Sequence, residues 1–324
     1  MPKAIRIHEY GGPEMMKWED VEIGDPGPGQ ARVRHHAAGL NFIDVYQRSG
    51  LYKLPLPLTL GMEGAGVVEA VGPGVTVVKP GDRVAYSSQP PGSYSEVRLS
   101  PADRLVKLPD ALSFETGAAM MLKGMTVQYL IKRTFKVEPG MTVLFHAAAG
   151  GVGLIACQWL NALGVTVIGT VGSDAKAELA RRHGCHHTIV YTRENFVDRV
   201  KEITGGKGVP VVYDSVGKDV WEGSLDCLSM FGMYVNFGNA SGKVPPVEPL
   251  LLAQKGSLFL TRPTLFNYTA KREDLVAISQ DLFDVVTAGK VKIAIDQRYS
   301  MKDAAQAHRD LESRKTTGST VLLP

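Results

Sequence analysis

Residues 141–164 read M-T-V-L-F-H-A-A-A-G-G-V-G-L-I-A-C-Q-W-L-N-A-L-G and contain Ala148-x-Gly150-x-x-Gly153, the G-x-G-x-x-G spacing with alanine at its first place. Thr142 to Phe145 is a short, β-branched-rich run. Residues 147–153 carry little side chain, and Leu154 to Leu163 repeats apolar residues at helical spacing. A strand, a bare turn and a helix N-terminus suit a dinucleotide pyrophosphate. The free N–H groups and the positive dipole end face the anion, and a β-carbon at the turn would hold it too far away. Ala148, Gly150, Gly151 and Val152 are therefore candidate pyrophosphate contacts. About 20 residues past such a turn, an acid closing the second strand would bond a ribose 2′-hydroxyl. The chain has Gly169-Thr-Val-Gly-Ser173-Asp174-Ala-Lys176 there. Asp174 lies past the strand end, where a helix cap belongs, whereas Lys176 in the first helical turn can reach a 2′-phosphate. The expected cofactor is NADPH.

The elements that must position these residues follow from periodicity. From Thr126 to Thr261, strands at 142–145, 165–169, 188–191, 210–214, 233–237 and 258–261 alternate with helices, the pattern of a doubly wound parallel sheet. Phe237-Gly238-Asn239 and Arg262-Pro263-Thr264-Leu265 follow its last two strands. They fall on the carboxyl edge, where ligands of such sheets collect, and are candidates for contact with the nicotinamide half. Residues 2–122 are instead short β-like runs punctuated by Gly and Pro, which suggests an irregular β-barrel. The tail has helices near 272–288 and 300–313 and a last strand at 320–323. A β-rich domain interrupted by the nucleotide domain and completed by the tail accounts for this order.

Composition excludes several classes. The 324 residues carry 36 basic and 33 acidic side chains, a net charge of +3, and nothing basic longer than Lys132-Arg133 or Arg181-Arg182-His183. A nucleic-acid partner is not expected. Hydrophobic residues at 44% and charged residues at 21% are those of a globular protein. No run of about 18 apolar residues is present, and Met1 to Tyr10 alternates as a strand, so neither a membrane span nor a signal peptide is expected. Cys157, Cys185 and Cys227 are few, odd in number and widely spaced, which fits packed thiols in a reducing compartment, the cytoplasm. His35-His36 and His186-His187 are adjacent pairs that point different ways from a strand, and no metal site is expected from them.

Several blocks resemble a known family. Gly61-x-Glu63-x-x-Gly66 through Gly72 and Val75, followed by a later Rossmann unit, is similar to the medium-chain dehydrogenases and reductases. Asn41-Phe-Ile-Asp44-Val-Tyr46-x-Arg48-Ser-Gly50-Leu-Tyr52, Leu122-Lys-Gly-Met-Thr126 and His146-Ala-Ala-Ala-Gly-Gly-Val-Gly153 resemble its zinc-free quinone oxidoreductase branch, the zeta-crystallin type. So do Val212 to Gly217, Phe237 to Gly242 and Thr261 to Leu265. The resemblance implies an α/β protein with a GroES-like β-barrel catalytic domain, residues 1–125 and 262–324, and a doubly wound Rossmann domain, residues 126–261. It implies a homodimer, paired through the edge strand near 258–261. It also assigns 2′-phosphate contacts to Gly172, Ser173, Lys176 and Tyr191, with Arg314 a further candidate, and extends the nicotinamide contacts over Phe237, Ser241, Arg262 and Leu265. Where zinc-dependent relatives have a cysteine and a histidine as ligands, this chain has Asn41 and Met62, so no zinc is expected.

Without a Lewis acid, the fitting acceptors are already electron-poor: quinones or conjugated enones. Asn41, Tyr46, Tyr52 and Thr126 are, by resemblance, the residues that line the acceptor, and amides or phenols can donate to a developing oxyanion. The leading expectation is an NADPH-dependent quinone reductase. An enone (alkenal) reductase and a non-enzymatic NADPH- or RNA-binding protein of the zeta-crystallin kind remain alternatives.

Overall fold

The computed structural model describes residues 1–324. Backbone contacts divide the chain into two compact units, one of Met1–Met125, Thr269–Thr287 and Ile293–Pro324, the other of Thr126–Tyr268 and Ala288–Lys292.

The first unit opens with β1 (Lys3–Ile7), β2 (Lys17–Asp20) and the long β3 (Gln30–Leu40). After α1 (Phe42–Arg48) come β4 (Leu58–Thr59), β5 (Glu63–Val71), β6 (Arg83–Ser87), β7 (Val97–Pro101) and β8 (Val106–Lys107). Strand β3 pairs antiparallel with both β5 and β7, and β5 with β6. Alternate residues Ala31 and Val33 of β3 meet Val68, Val84, Tyr86 and Leu105 in one apolar core, the period-two burial that fixes register. The chain then enters α2 (Phe114–Tyr129), which continues as a π-helical turn over Leu130–Thr134. The boundary between the units falls within this helix.

The second unit is regular. In order it contains β9 (Thr142–Phe145), α3 (Gly151–Ala162), β10 (Thr166–Val171), α4 (Asp174–Arg182), β11 (His187–Val190), α5 (Phe196–Ile203) and β12 (Val209–Asp214). It continues through α6 (Trp221–Asp226), β13 (Leu228–Asn236), α7 (Pro249–Gln254), β14 (Phe259–Thr261) and α8 (Leu265–Tyr268). The sheet runs β11-β10-β9-β12-β13-β14, every pair parallel. Winding therefore reverses between β9 and β12, and the glycine turn leaves the carboxyl end of β9 at that switch point. The tail adds α9 (Arg272–Thr287), β15 (Ile295–Ser300), α10 (Ala304–Glu312) and β16 (Ser319–Leu323) to the first unit. There β16 pairs with β3, so the last strand of the chain joins the sheet built by β3, β5 and β6, while β1 lies in a separate sheet with β2 and β4. No helix is long and apolar enough to cross a membrane.

The structure differs from the sequence expectation at three places. Residues 262–268 belong with the nucleotide unit rather than with the tail, because Tyr268 stacks on Tyr129 at 4.4 Å and its hydroxyl accepts from Thr134 at 2.8 Å. Helix α1 escaped notice because its buried face is polar: Asp44, Gln47 and Arg48 with Val45. Helix α2 contains Gly117 and Gly124, which read as breakers, and it packs Ala118 to Met121 and Met125 inward without a polar face to give it a period.

Candidate functional site

The cradle begins where β9 ends. Ala147 sits in the left-handed region at φ 54°, unusual for a residue with a β-carbon, and bends the chain sharply enough for α3 to start at Gly151. A β-carbon on Gly153 would stand 2.4 Å from the Ala147 carbonyl oxygen and 2.6 Å from that of Ala148, so this glycine is needed by the turn itself. Ala148 is buried, its N–H donating to the Thr170 carbonyl, and its methyl packs toward Gly169. The half-buried face of the turn is Ala147, Gly150, Gly151 and Val152. Gly150 caps α3 without a side chain, which leaves the first-turn N–H groups of the helix to face an anion.

The second turn, after β10, holds the residues expected to select the phosphorylated cofactor. Asp174 is not the helix cap expected from its spacing. Ser173 is, its hydroxyl accepting from the Lys176 N–H at 3.4 Å, because the extended backbone of Ser173 aims its side chain back at the first turn. Asp174 begins α4 and is gripped instead by Arg193 through two 2.6 Å contacts. Lys176 is half-buried at the third helical position. Tyr191 is 43% exposed, and its hydroxyl lies 2.9 Å from where a β-carbon on Gly172 would be, so a side chain at 172 would fill the space between the two turns. These residues fit a dinucleotide phosphate: a bare helix end, a bare second turn, and a lysine and a hydroxyl beside it. Arg314 belongs to the first unit, in the turn after α10 with φ 59°.

At the carboxyl edge, buried Asp214 ties two loops together. It accepts from the N–H groups of Val216 (2.6 Å) and Gly217 (3.1 Å), from the Asn236 amide (3.2 Å) and from the Tyr234 hydroxyl. Ser241 laces the same loops, donating to the Val216 carbonyl at 2.9 Å and accepting from the Asp219 N–H at 3.0 Å. The half-buried ring of Phe237 lies 5.9 Å from that of Phe145. Arg262 is exposed, its guanidinium on the Pro263 carbonyl, and Leu265 is buried at the start of α8. Thr126, at the start of this unit, hydrogen-bonds the Tyr129 phenol. Its helix delivers it there, six per cent exposed.

The other residues expected to line the acceptor lie on or next to α1 of the first unit. Tyr46 and Tyr52 meet edge to face at 5.3 Å, and the Tyr52 N–H donates to the Tyr46 carbonyl at 3.0 Å. Asn41 precedes α1, and its amide nitrogen donates to Glu63 Oε2 at 2.8 Å. Glu63, wholly buried, also accepts from the Leu122 N–H at 2.8 Å and faces the Lys123 ammonium at 3.5 Å, which in turn donates to the Leu40 carbonyl at 3.2 Å. Burial holds the Glu63 carboxyl above its ordinary range, although Lys123, Asn41 and Leu122 each pull it down. With its nitrogen committed to Glu63, Asn41 is an anchored residue, and the phenols of Tyr46 and Tyr52 are the hydroxyl donors of this cluster.

A buried polar chain that the sequence reading did not assign runs behind these residues. Arg48 forks onto Glu312 at 2.9 and 3.0 Å and donates to His308 Nδ1 at 3.0 Å. Since arginine only donates, His308 carries its hydrogen on Nε2, directed at the Tyr94 oxygen 3.3 Å away, and Tyr94 donates to Asp44 Oδ2 at 2.9 Å. Asp44 Oδ2 also accepts from the Asn41 N–H at 2.9 Å. The signal available in sequence was the charged pair Asp44 and Arg48 inside apolar surroundings; His308 and Glu312, the partners of Arg48, lie more than 200 positions away.

Burial raises the Asp44 carboxyl from 3.8 to about 7, against the Asn41, Tyr94 and Lys123 contributions and with that of Glu63. A raised folded value means that the folded chain holds the extra proton. The stabilisation is whole below 3.8 and is lost as the pH rises through about 7. Asparagine retains one oxygen, which suffices because both donors share Oδ2. D44N should therefore gain on the order of 2 kcal/mol relative to the parent between pH 5 and pH 8. Urea unfolding at the two pH values measures this, and an unchanged difference would show that Asp44 does not titrate in that window.

The His35-His36 pair serves packing, whereas His186 and His187 are exposed. His35 bonds the Ser95 carbonyl and the Tyr86 hydroxyl, each at 2.6 Å, and burial brings it down to about 3; His36 stacks on Phe114 at 4.3 Å. At the zinc-ligand positions Asn41 is bonded to Glu63, and the Met62 sulfur accepts from Gln47 Nε2 at 3.2 Å. An amide and a thioether so engaged do not fit zinc. No group of three or more His, Cys, Asp or Glu is arranged to hold a metal.

Residues 27–110 match the family described as alcohol dehydrogenase GroES-like domain, and residues 151–279 the one described as zinc-binding dehydrogenase. Over full length the chain is 56% identical to a quinone oxidoreductase of Pseudomonas aeruginosa, with 100% of each covered. It is 49% identical to a 2-haloacrylate reductase of Burkholderia, covering 100% of this chain and 99% of the other. The crystal structure of Escherichia coli quinone oxidoreductase complexed with NADPH matches at a TM-score of 0.98 and 50% identity, over 99% of this chain and 100% of that one. Identity above one half along the whole length, joined to both domain matches and to a donor set without zinc ligands, places the chain in the quinone oxidoreductase family of the medium-chain dehydrogenases and reductases.

Proposed function

We propose that this chain catalyses the reduction of quinones by NADPH. The observation that carries the reading is the filling of both zinc positions by Asn41 and Met62, each tied to a protein partner, beside two phenols on one helix and the turn after it. A reductase built this way suits an acceptor that is already electron-poor. When bound, NADPH supplies hydride from C4 of its nicotinamide. The chain's own part is to hold and orient. The first turn of α3 neutralises the pyrophosphate, and Ser173, Lys176 and Tyr191 receive the 2′-phosphate. Gly172 keeps that turn bare, while Phe237, Ser241, Arg262 and Leu265 are the candidates at the nicotinamide half and Arg314 a further phosphate contact. Tyr46 and Tyr52 donate to the quinone oxygen as it gains charge, Asn41 fixes the start of their helix, and Thr126 is a further acceptor contact.

The relation to a protein named 2-haloacrylate reductase keeps a conjugated alkene as the second reading. Steady-state NADPH oxidation with 1,4-benzoquinone, 9,10-phenanthrenequinone, an alkenal and a crotonyl thioester separates the two. The quinones should turn over faster by at least about tenfold in kcat/KM. Preferential turnover of the alkenal would reverse the assignment, and no turnover would favour a binding protein.

We infer a homodimer as well. The edge strand β14 exposes Phe259 (57%) and Leu260, and Met230, Phe231 and Leu250 add further exposed apolar surface to the same unit. A light-scattering mass of one chain would refute it. Three buried free thiols support a cytoplasmic setting.

A further inference from the structure

The turn after β10 contains an electrostatic conflict. An acid near the end of this strand would accept a ribose 2′-hydroxyl and repel a 2′-phosphate, yet the cofactor is the phosphorylated one. Asp174, three residues past the end of β10, is the acid nearest that place. Arg193, in the turn after β11, grips it with Nη1 on Oδ2 and Nη2 on Oδ1, both at 2.6 Å, so the guanidinium fork occupies both carboxylate oxygens. The same two turns meet again where Thr192 Oγ1 donates to the Gly172 carbonyl at 3.4 Å and where Tyr191 faces Gly172. The pair is neutral. Its side chains are 56% and 73% exposed, and a pair so open to water adds little to stability. Holding the fold therefore does not account for it.

We propose that Arg193 is a specificity-determining residue that acts through Asp174: by occupying the carboxylate it cancels the acid's preference for an unphosphorylated ribose and sets the choice of NADPH without touching the phosphate. The proposal rests on the placement of the 2′-phosphate beside Ser173 and Lys176. Arginine is suited to the task because it stays charged at every working pH and matches the carboxylate edge to edge.

The test compares the parent with R193A, D174N, R193A/D174N and K176A. Two quantities are read: the ratio of kcat/KM for NADPH over NADH, and calorimetric affinities for 2′,5′-ADP and 5′-AMP, with circular dichroism to verify folding. R193A should lower the ratio and weaken 2′,5′-ADP about tenfold, the effect of one exposed charge a few ångströms away, while 5′-AMP binding holds. D174N and the double variant should stay within about twofold of the parent, since the acid is gone. An R193A enzyme with the parent's ratio overturns the proposal. So does a double variant as impaired as R193A, which would assign the arginine to the phosphate directly. If K176A binds 2′,5′-ADP as the parent does, the phosphate does not sit at this turn, and the underlying placement fails along with the proposal. A K176A loss with no R193A effect fails the proposal alone.

Discussion

Lys176→Ala is expected to raise the KM for NADPH roughly 10- to 100-fold, the range of one charge-assisted bond to a phosphate, while the KM for NADH moves by less than about twofold. The lysine occupies the third position of α4, whose cap, Ser173, fixes the helix start by accepting the Lys176 N–H. The ammonium is thereby carried on a rigid element next to the bare Gly172 turn. The side chain is already half-buried, so little further conformational freedom is lost on meeting a phosphate. Asp174, the competing acid, is held by Arg193 and does not draw the cofactor the other way. Steady-state kinetics with both cofactors measures the effect. Equal loss with NADPH and NADH would show that Lys176 supports the helix and does not read the phosphate.

Lys123→Met should destabilise the chain by about 3–5 kcal/mol at pH 8, the cost of stranding one member of a buried ion pair. Glu63 is wholly buried and Lys123 six per cent exposed, 3.5 Å apart. Removing the ammonium leaves the carboxylate with the Asn41 amide and Leu122 N–H as partners. The sign of the pH dependence follows. Burial already raises Glu63, and loss of the cation raises it further, so the deficit shrinks as the pH falls and the carboxyl takes up its proton. The double variant K123M/E63Q should recover part of the loss, because no charge is buried; recovery is incomplete because Asn41 and Leu122 donate to different oxygens of Glu63 and glutamine keeps only one of them. Thermal and urea unfolding of the three proteins decides the matter. A single variant within about 0.5 kcal/mol of the parent would mean that water reaches this cluster. Because Lys123 also holds the Leu40 carbonyl, immediately before Asn41, the single variant should lose activity as well as stability.

Much of the nucleotide unit was legible because its information is local. The strand, bare turn and helix of 142–162 follow one another, and each step is encoded by residues in contact along the chain: β-branched residues, then small ones, then a helical apolar period. The six-strand parallel sheet follows from alternation of strands and helices. Its distance from the turn makes Lys176 a candidate. The resemblance supplied more, notably the roles expected of Tyr46, Tyr52 and Arg314, which no spacing within this chain indicates.

Tertiary structure alone decided the rest, wherever a role depends on a partner distant in sequence. Asp174 has the residue type of an NADH selector, and only the fold brings Arg193 across from the next turn to occupy it. Asn41 reads as a donor for an oxyanion until β3 and β5 set Glu63 against its nitrogen. Arg48 and Glu312 are 264 positions apart, and nothing along the chain announces that α10 of the tail completes the buried network behind α1. Sequence spacing reports which groups share one element. Charge compensation and hydrogen-bond commitment are set between elements, and they determine which of those groups remain available for chemistry.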